Sequence, residues 1–167
     1  MRKDEILDRL VFSEAALEAY ARPENNRTEP AGDHWSRPIL LERAAYLRKL
    51  ARFGDGSETE TIREFPGYKV SLMVLLRSSD AVIHERCAHL LMVLDGQATL
   101  VTGGSLERAK RITPEETRGA TICGGVSRQL RTGDLAHLPA GTPHQVLLAG
   151  EKTLSCLVVR VQEMDTP

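Results

Sequence analysis

The chain has 167 residues, with 22 Lys plus Arg against 23 Asp plus Glu, long enough for one domain with a core and too short to expect two. Hydrophobic residues make up 41% before the 13 glycines are added, which excludes disorder as the whole description. A net charge of -1 without a basic stripe gives no electrostatic footprint for nucleic acid or an anionic membrane, and no apolar run approaches the roughly 18 residues that span a bilayer.

In chain order, the first predicted element is an amphipathic helix over 4–21. Ile6, Leu7, Leu10, Val11, Ala15 and Leu17 recur at intervals of three and four ahead of Pro23. Residues 22–33, rich in Pro, Asn and Gly, read as a loop. A second helix is expected to begin near Ser36 as N-cap, with Pro38 in its first turn, and to stop at Gly54. Its apolar stripe is Ile39, Leu40, Ala44, Leu47, Leu50 and Ala51. The opening Met-Arg-Lys-Asp-Glu leads into no continuous apolar segment of the secretory kind, so a cytoplasmic location is expected. Cys87, Cys123 and Cys156 are odd in number and in no CxxC pair, so neither a disulfide framework nor a thiolate zinc site is suggested, and they are expected to be reduced core thiols.

Beyond Gly56 the period changes. Val70, Leu72, Val74 and Leu76, then Leu91, Val93, Ala98 and Leu100, and later Leu135, Val146, Leu157 and Val159, fall in short β-prone runs. Separated by Gly, Pro and Asp, these runs predict an all-β barrel or sandwich. Asp95-Gly96, Gly103-Gly104 and Gly124-Gly125 are expected as tight turns, and the charged stretch 107–118, carrying Pro114, as a surface loop between strands. The organisation expected is therefore a helical extension over 1–56 and a β-barrel over 57–167.

Five histidines are present, and two of them, His84 and His89, lie five apart in Ala81-Val82-Ile83-His84-Glu85-Arg86-Cys87-Ala88-His89. On one unbroken strand an odd spacing sends them to opposite faces. If the chain reverses through 85–88, His84 ends one strand and His89 starts its antiparallel neighbour, and both imidazoles can face inward. His144, at the start of a later strand, completes a three-nitrogen face suited to Fe, Zn, Ni or Cu.

The segment Gly133-Asp134-Leu135-Ala136-His137-Leu138-Pro139-Ala140-Gly141-Thr142-Pro143-His144 resembles the second motif of the cupin superfamily, G(X)5PXG(X)2H, at every fixed position. Upstream, the stretch ending at Gly96 is similar to the first cupin motif, HXH(X)3-4E(X)6G. Counting back from Gly96 puts His89 at the glutamate position, His84 at the second histidine and Val82 at the first, with Leu76 where the motif's opening glycine stands. The resemblance covers roughly 65–162 and implies a mainly β, jelly-roll barrel, to which this chain adds the two N-terminal helices as an extension; it also implies a small-molecule ligand or substrate, a homodimer, and one divalent transition metal on His84, His89 and His144. In it Gly96, Gly133, Pro139 and Gly141 are turn-makers, and Gly133, Pro139 and Gly141 aim His144 inward.

Three neutral imidazoles leave a bound dication at its full charge, where a carboxylate would reduce it, so such a site favours an anionic chelating substrate. Iron comes first, by resemblance to three-histidine cupin dioxygenases, and implies oxidoreductase chemistry on a small organic acid or carbonyl compound. Zinc or nickel would instead polarise a carbonyl for isomerase, lyase or hydrolase chemistry, and manganese or copper suits the ligand set as well. Glu85, His137 and Gln145 are candidates for supporting the ligands, and Gln145, Arg77 and Glu85 for acid or base work. Two non-catalytic readings stand beside the enzyme: a small-molecule-binding or sensor barrel, and a metal-free dimerisation barrel.

Overall fold

The computed structural model describes residues 32–163. The helix expected over 4–21 lies outside them, so one of the two expected helices is present among the described residues. It is α1 (Arg37–Phe53), and the rest is β. Ser36 holds the N-cap position with an extended backbone, and its carbonyl accepts from Leu40 N–H at 3.1 Å, but its hydroxyl makes no cap bond. Pro38 falls in the first turn as expected, where its missing N–H costs nothing. Gly54 is the C-cap at φ -105°, and the left-handed residue that turns the chain away is Gly56 at φ 86°.

The strands are β1 (Ser57–Phe65), β2 (Tyr68–Leu75), β3 (Ala81–His84), β4 (Cys87–Thr102), β5 (Ser105–Glu107) and β6 (Lys110–Thr113), then β7 (Glu116–Gly119), β8 (Thr121–Cys123), β9 (Val126–Arg131), β10 (Leu135–Leu138), β11 (His144–Leu147) and β12 (Leu154–Gln162). Every pairing is antiparallel. The main sheet runs β1-β2-β12-β4-β11-β3-β7-β6, with β9 and β10 also on β4, and β5-β8 form a separate ribbon. The first half of β4 pairs with β12 and β10, the second half with β11 and β9. One strand therefore belongs to both walls of a curled sheet.

Asp95-Gly96 is consequently not a hairpin turn, as the sequence suggested, but a corner inside a 16-residue strand. Against β12, Val93 pairs with Cys156 and Asp95 with Ser155, which leaves Leu94 as the extra residue of a β-bulge. The bulge turns Leu94 and Asp95 the same way. Leu94 joins the cluster under α1, and Asp95 receives Arg48 at 2.7 Å. It also changes the parity of the strand: His89, Leu91 and Val93 are inward and buried before it, Ala98 and Leu100 after it. Gly96 sits at φ 93°, and a Cβ there would meet the Thr153 carbonyl oxygen at 2.1 Å, so no other residue fits.

Stretch 107–118 is likewise not a loop. Lys110 pairs with Arg118 and Arg111 with Thr117 across the turn at Pro114, and β7 then pairs with β3, Ile83 opposite Thr117 and His84 opposite Glu116. Gly103-Gly104 and Gly124-Gly125 flank the β5-β8 ribbon rather than closing hairpins. Of the cysteines, only Cys156 is buried; Cys87 is half-buried and Cys123 exposed.

Two apolar layers result. Inside the curl lie Leu75, Leu91, Val93, Ala98, Leu100, Leu130 and their neighbours. On the outside, Val70, Leu72 and Val74 of β2 alternate with the inward Ser71, Met73 and Leu75 and pack under Leu40, Ala44, Leu47 and Leu50 of α1. Arg43 on Glu60, and Arg48 on both Asp95 and Ser155 Oγ, fasten the helix to β1 and to the bulge. Truncating Leu47 to Ala removes a core contact of this outer layer and is expected to lower unfolding stability by about 2–5 kcal/mol, whereas Gly96→Ala is expected to prevent folding or cost more than that. Chemical denaturation of both variants measures the difference, and Gly96→Ala at parental stability would refute the corner assignment.

Candidate metal centre

His84, His89 and His144 come from β3, β4 and β11 and meet at one end of the curl. One nitrogen of each lies within 4.8 Å of the others, and their ring centroids are 4.6, 5.6 and 5.7 Å apart. The chain turns at Glu85-Arg86 between the first two, yet β3 and β4 are not paired to one another as expected. β3 pairs with β7 and β11, so the turn carries the chain from one wall to the other and the imidazoles face each other across the interior.

The turn of the G(X)5PXG(X)2H segment is tied directly to this site. Gly141 N–H donates to the His84 carbonyl at 2.8 Å, and Thr142 N–H to the Pro139 carbonyl at 3.2 Å. Gly141 at φ 71° and Gly133 at φ 94° supply the left-handed corners on either side of β10. His144 Nδ1–H donates to the Thr142 carbonyl at 2.9 Å, which leaves Nε2 with the lone pair. The Glu116 carboxylate stands 3.5 Å from His84 Nδ1, and Arg118 Nε donates to its other oxygen at 2.6 Å. A carbonyl and a carboxylate on the back of two imidazoles are the groups that set tautomer and ring orientation in metal-ligating histidines.

Burial, and after it the positive charge of Arg160 and of neighbouring rings, favours the neutral form of all three imidazoles. His84 is pushed down to about 4, first by burial and then by the Arg160 charge. His89 is pushed down to about 3, by burial and then by His84. His144 is lowered by burial, against the pull of its bond to Thr142. At neutral pH the cluster thus presents lone pairs rather than protons, as a divalent transition metal requires. The donor set fits such an ion.

The cluster opens into a cavity of about 310 Å³. Lys69, Arg160, His89, Ser71, Val158, Leu91 and Met73 line its first wall, in rows set by the strand register. Glu64, Lys69, Arg160 and His89 are successive cross-strand neighbours on β1, β2, β12 and β4; Ser71, Val158 and Leu91 form the next row in, and Met73, Cys156 and Val93 the one after. Val82, His84, Glu116, Arg118, His144 and Val146 form the facing wall. Val82, at the position of the motif's first histidine, lines the cavity without a donor.

The proposed supporting residues are elsewhere. Glu85 is exposed, with its N–H on the Glu115 carbonyl at 2.9 Å. His137 is exposed on β10 opposite Leu90, on the outer face. Gln145 is buried but points away from His144, its amide donating to the carbonyls of Ser79 at 3.0 Å and Ala120 at 3.3 Å, so it ties strand connections together. Arg77 lies at the surface, 3.8 Å from Asp55. The side chains in contact with the cluster are instead Glu116, 3.5 Å from His84 Nδ1, and Arg160, whose Nε–H donates to His89 Nε2 at 3.1 Å. Glu116 was hidden in the stretch read as a loop. Arg160 had a visible signal: one charge inside the apolar run Leu157-Val158-Val159-Arg160-Val161, two residues from inward Val158.

No protein-family model matches the chain, and no curated protein matches its sequence. Solved structures similar to it include cupin proteins. A DMSP lyase from Ruegeria pomeroyi DSS-3 is 16% identical, covering 70% of this chain and 52% of its own, at a TM-score of 0.49. An oxalate oxidase is 20% identical over 65% of this chain and 52% of its own, at 0.47. A cupin 2 conserved barrel domain protein from Salinispora arenicola CNS-205 is 17% identical over 64% of this chain and 76% of its own, at 0.45. These are likenesses of fold.

The neutral imidazoles have a consequence for stability. Folded values near 4 and 3 lie below the ordinary 6.5 of the unfolded chain, so the unfolded state binds more protons and stability rises with pH through that window. The contribution is complete above about 6.5 and is lost as pH falls towards 4. Metal-free protein is expected to lose denaturant resistance between pH 6.5 and 4.5 with uptake of on the order of two protons on unfolding. His84→Asn and His89→Asn should each flatten that slope, and an unchanged slope in both would show that the rings are not held neutral.

Proposed function

We propose that the protein is a metal-dependent enzyme of the cupin type, holding one divalent transition metal on His84, His89 and His144 and acting on a small organic acid or carbonyl compound, with an iron dioxygenase reaction as the leading assignment. The observation that supports it is the convergence of three neutral imidazoles, from three strands, at the polar end of an otherwise mostly apolar cavity. A non-catalytic dimerisation barrel has no use for that arrangement. A cavity of about 310 Å³ is at the small end of ligand sites and suits a compact molecule.

When bound, such a metal supplies Lewis acidity and, as iron, redox chemistry with dioxygen. The chain supplies the rest. The Thr142 carbonyl holds His144 by its Nδ1 side, and Glu116 stands beside Nδ1 of His84, positions from which they would orient the two rings towards a bound ion. Ser71 and Thr61 offer hydroxyls to polar parts of a substrate, while Met73, Leu75, Leu91, Val146 and Val158 exclude water from the remainder. His84 and His89, depressed far below neutrality, carry no imidazolium proton to donate at pH 7.

Metal analysis of untagged protein is the test. Close to one equivalent of iron is expected in the parent and none in a His84→Ala/His144→Ala double variant, followed by substrate-dependent oxygen consumption. Zinc or nickel in its place would redirect the assignment to isomerase, lyase or hydrolase chemistry, and absence of metal after reconstitution would leave a binding barrel. Glu116→Gln keeps the shape but removes the charge behind His84, and is expected to weaken metal affinity about 10-fold; competition with a chromophoric chelator reads this, and unaltered affinity would strip Glu116 of its role.

A further inference from the structure

Three cationic side chains other than histidine line the cavity: Lys69, Arg118 and Arg160. Two of them already have carboxylates. Lys69 is 3.4 Å from Glu64, and Arg118 is bonded to Glu116 at 2.6 Å and lies 3.7 Å from Asp80. Arg160 is the exception, since no carboxylate among the described residues forms an ion pair with it. Its Nε–H donates instead to a neutral imidazole, His89 Nε2, at 3.1 Å.

That bond is a weak use of a guanidinium in a half-buried setting. An Arg prefers the planar, bidentate oxygen pair of a carboxylate, and a charge-assisted bond of that kind is roughly twice as strong as a neutral one. The bond is also in competition with the metal, because the lone pair on His89 Nε2 can accept from Arg160 or bind an ion through that atom, but not both. Loading the site through Nε2 therefore sets the guanidinium free, beside the ion and facing the cavity.

We propose that Arg160 is the receptor for the substrate's carboxylate, exchanging its hydrogen bond to His89 for an anionic partner. The proposal deepens the function given above and rests on that reading for the identity of the cavity as the substrate site. It narrows the substrate class to short monocarboxylic acids. The anchor is one hydrogen bond from the histidine cluster, so the carboxylate and the reacting atoms are separated by few bonds. The rows further in, Ser71, Val158 and Leu91, then Met73, take a small, mainly apolar remainder. The exchange moves hydrogen bonds only; no covalent bond forms or breaks.

The probes are propionate and its neutral isostere propionamide, titrated into zinc-loaded and chelator-treated protein and followed by thermal shift and by NMR. Propionate is expected to bind the zinc-loaded parent and propionamide not. Arg160→Gln is expected to keep its zinc stoichiometry while propionate affinity falls about 30-fold or more, in line with truncating one side of a hydrogen-bonded charge pair. Arg160→Lys keeps the charge and most of the stem, should retain part of the preference for propionate, and serves if the glutamine variant fails to fold. Equal propionate affinity in Arg160→Gln and the parent, equal binding of the two probes, or no propionate binding to either form overturns the proposal. Should the parent take up no zinc, the iron content described above decides the proposed function separately, and the same comparison on metal-free protein still decides whether Arg160 holds the anion.

Discussion

The bulge and bend at Leu94–Gly96 of β4 is the constraint from which the site follows. Before it, the strand belongs to the wall with β12 and β2 and carries His89 inward; after it, the strand belongs to the wall with β11, on which His144 sits and beside which β3 brings His84. Without the change of parity at Leu94, inward positions of one half of the strand would be outward positions of the other. One wall would then turn its apolar positions to solvent, and no set of three imidazoles could close on a common point. Gly96 makes the bend sterically feasible, and the Arg48 contacts with Asp95 and Ser155 brace it from outside.

A second dependence is that the two histidine-bearing segments are mechanically joined. Gly141 N–H on the His84 carbonyl makes the corner before His144 and the end of β3 a single piece of backbone, while the pairing of His84 with Glu116 fixes the group behind the ring. The positioning of the imidazoles thus rests on main-chain hydrogen bonds, which side-chain variation leaves intact. The helix contributes from the other side: α1 covers the outer face of β2 and packs on none of the inward residues of that strand, so it supports the wall and does not cap the cavity.

Much of this was legible in the sequence, and the gaps have physical causes. The mainly β character and α1 with its buried stripe came from periodicity, and the convergence of His84, His89 and His144 from a reversal between the first two together with the resemblance of Gly133, Pro139, Gly141 and His144 to the second cupin motif. The Asp95-Gly96 pair was read as a hairpin because a bulge and a turn use the same residue types and both interrupt alternation; only the partner strands distinguish them. The stretch 107–118 was read as a loop because its strands are four residues long, exposed and charged on β6, with no apolar face to mark them. Glu116 was lost with it. Gln145, by contrast, was over-read: adjacency to a ligand along a strand places a side chain on the opposite face.

Cys156 lies on the same strand as Arg160, at zero exposure between Val93 and Met73. Burial pushes its thiol up to about 12, so at neutral pH it carries its proton almost completely and offers no thiolate to an oxidant. Cys123, at the surface, is held as the thiol by its bond to Glu107. Packing alone thus withholds the Cys156 sulfur, buried behind the histidine cluster, from thiolate chemistry.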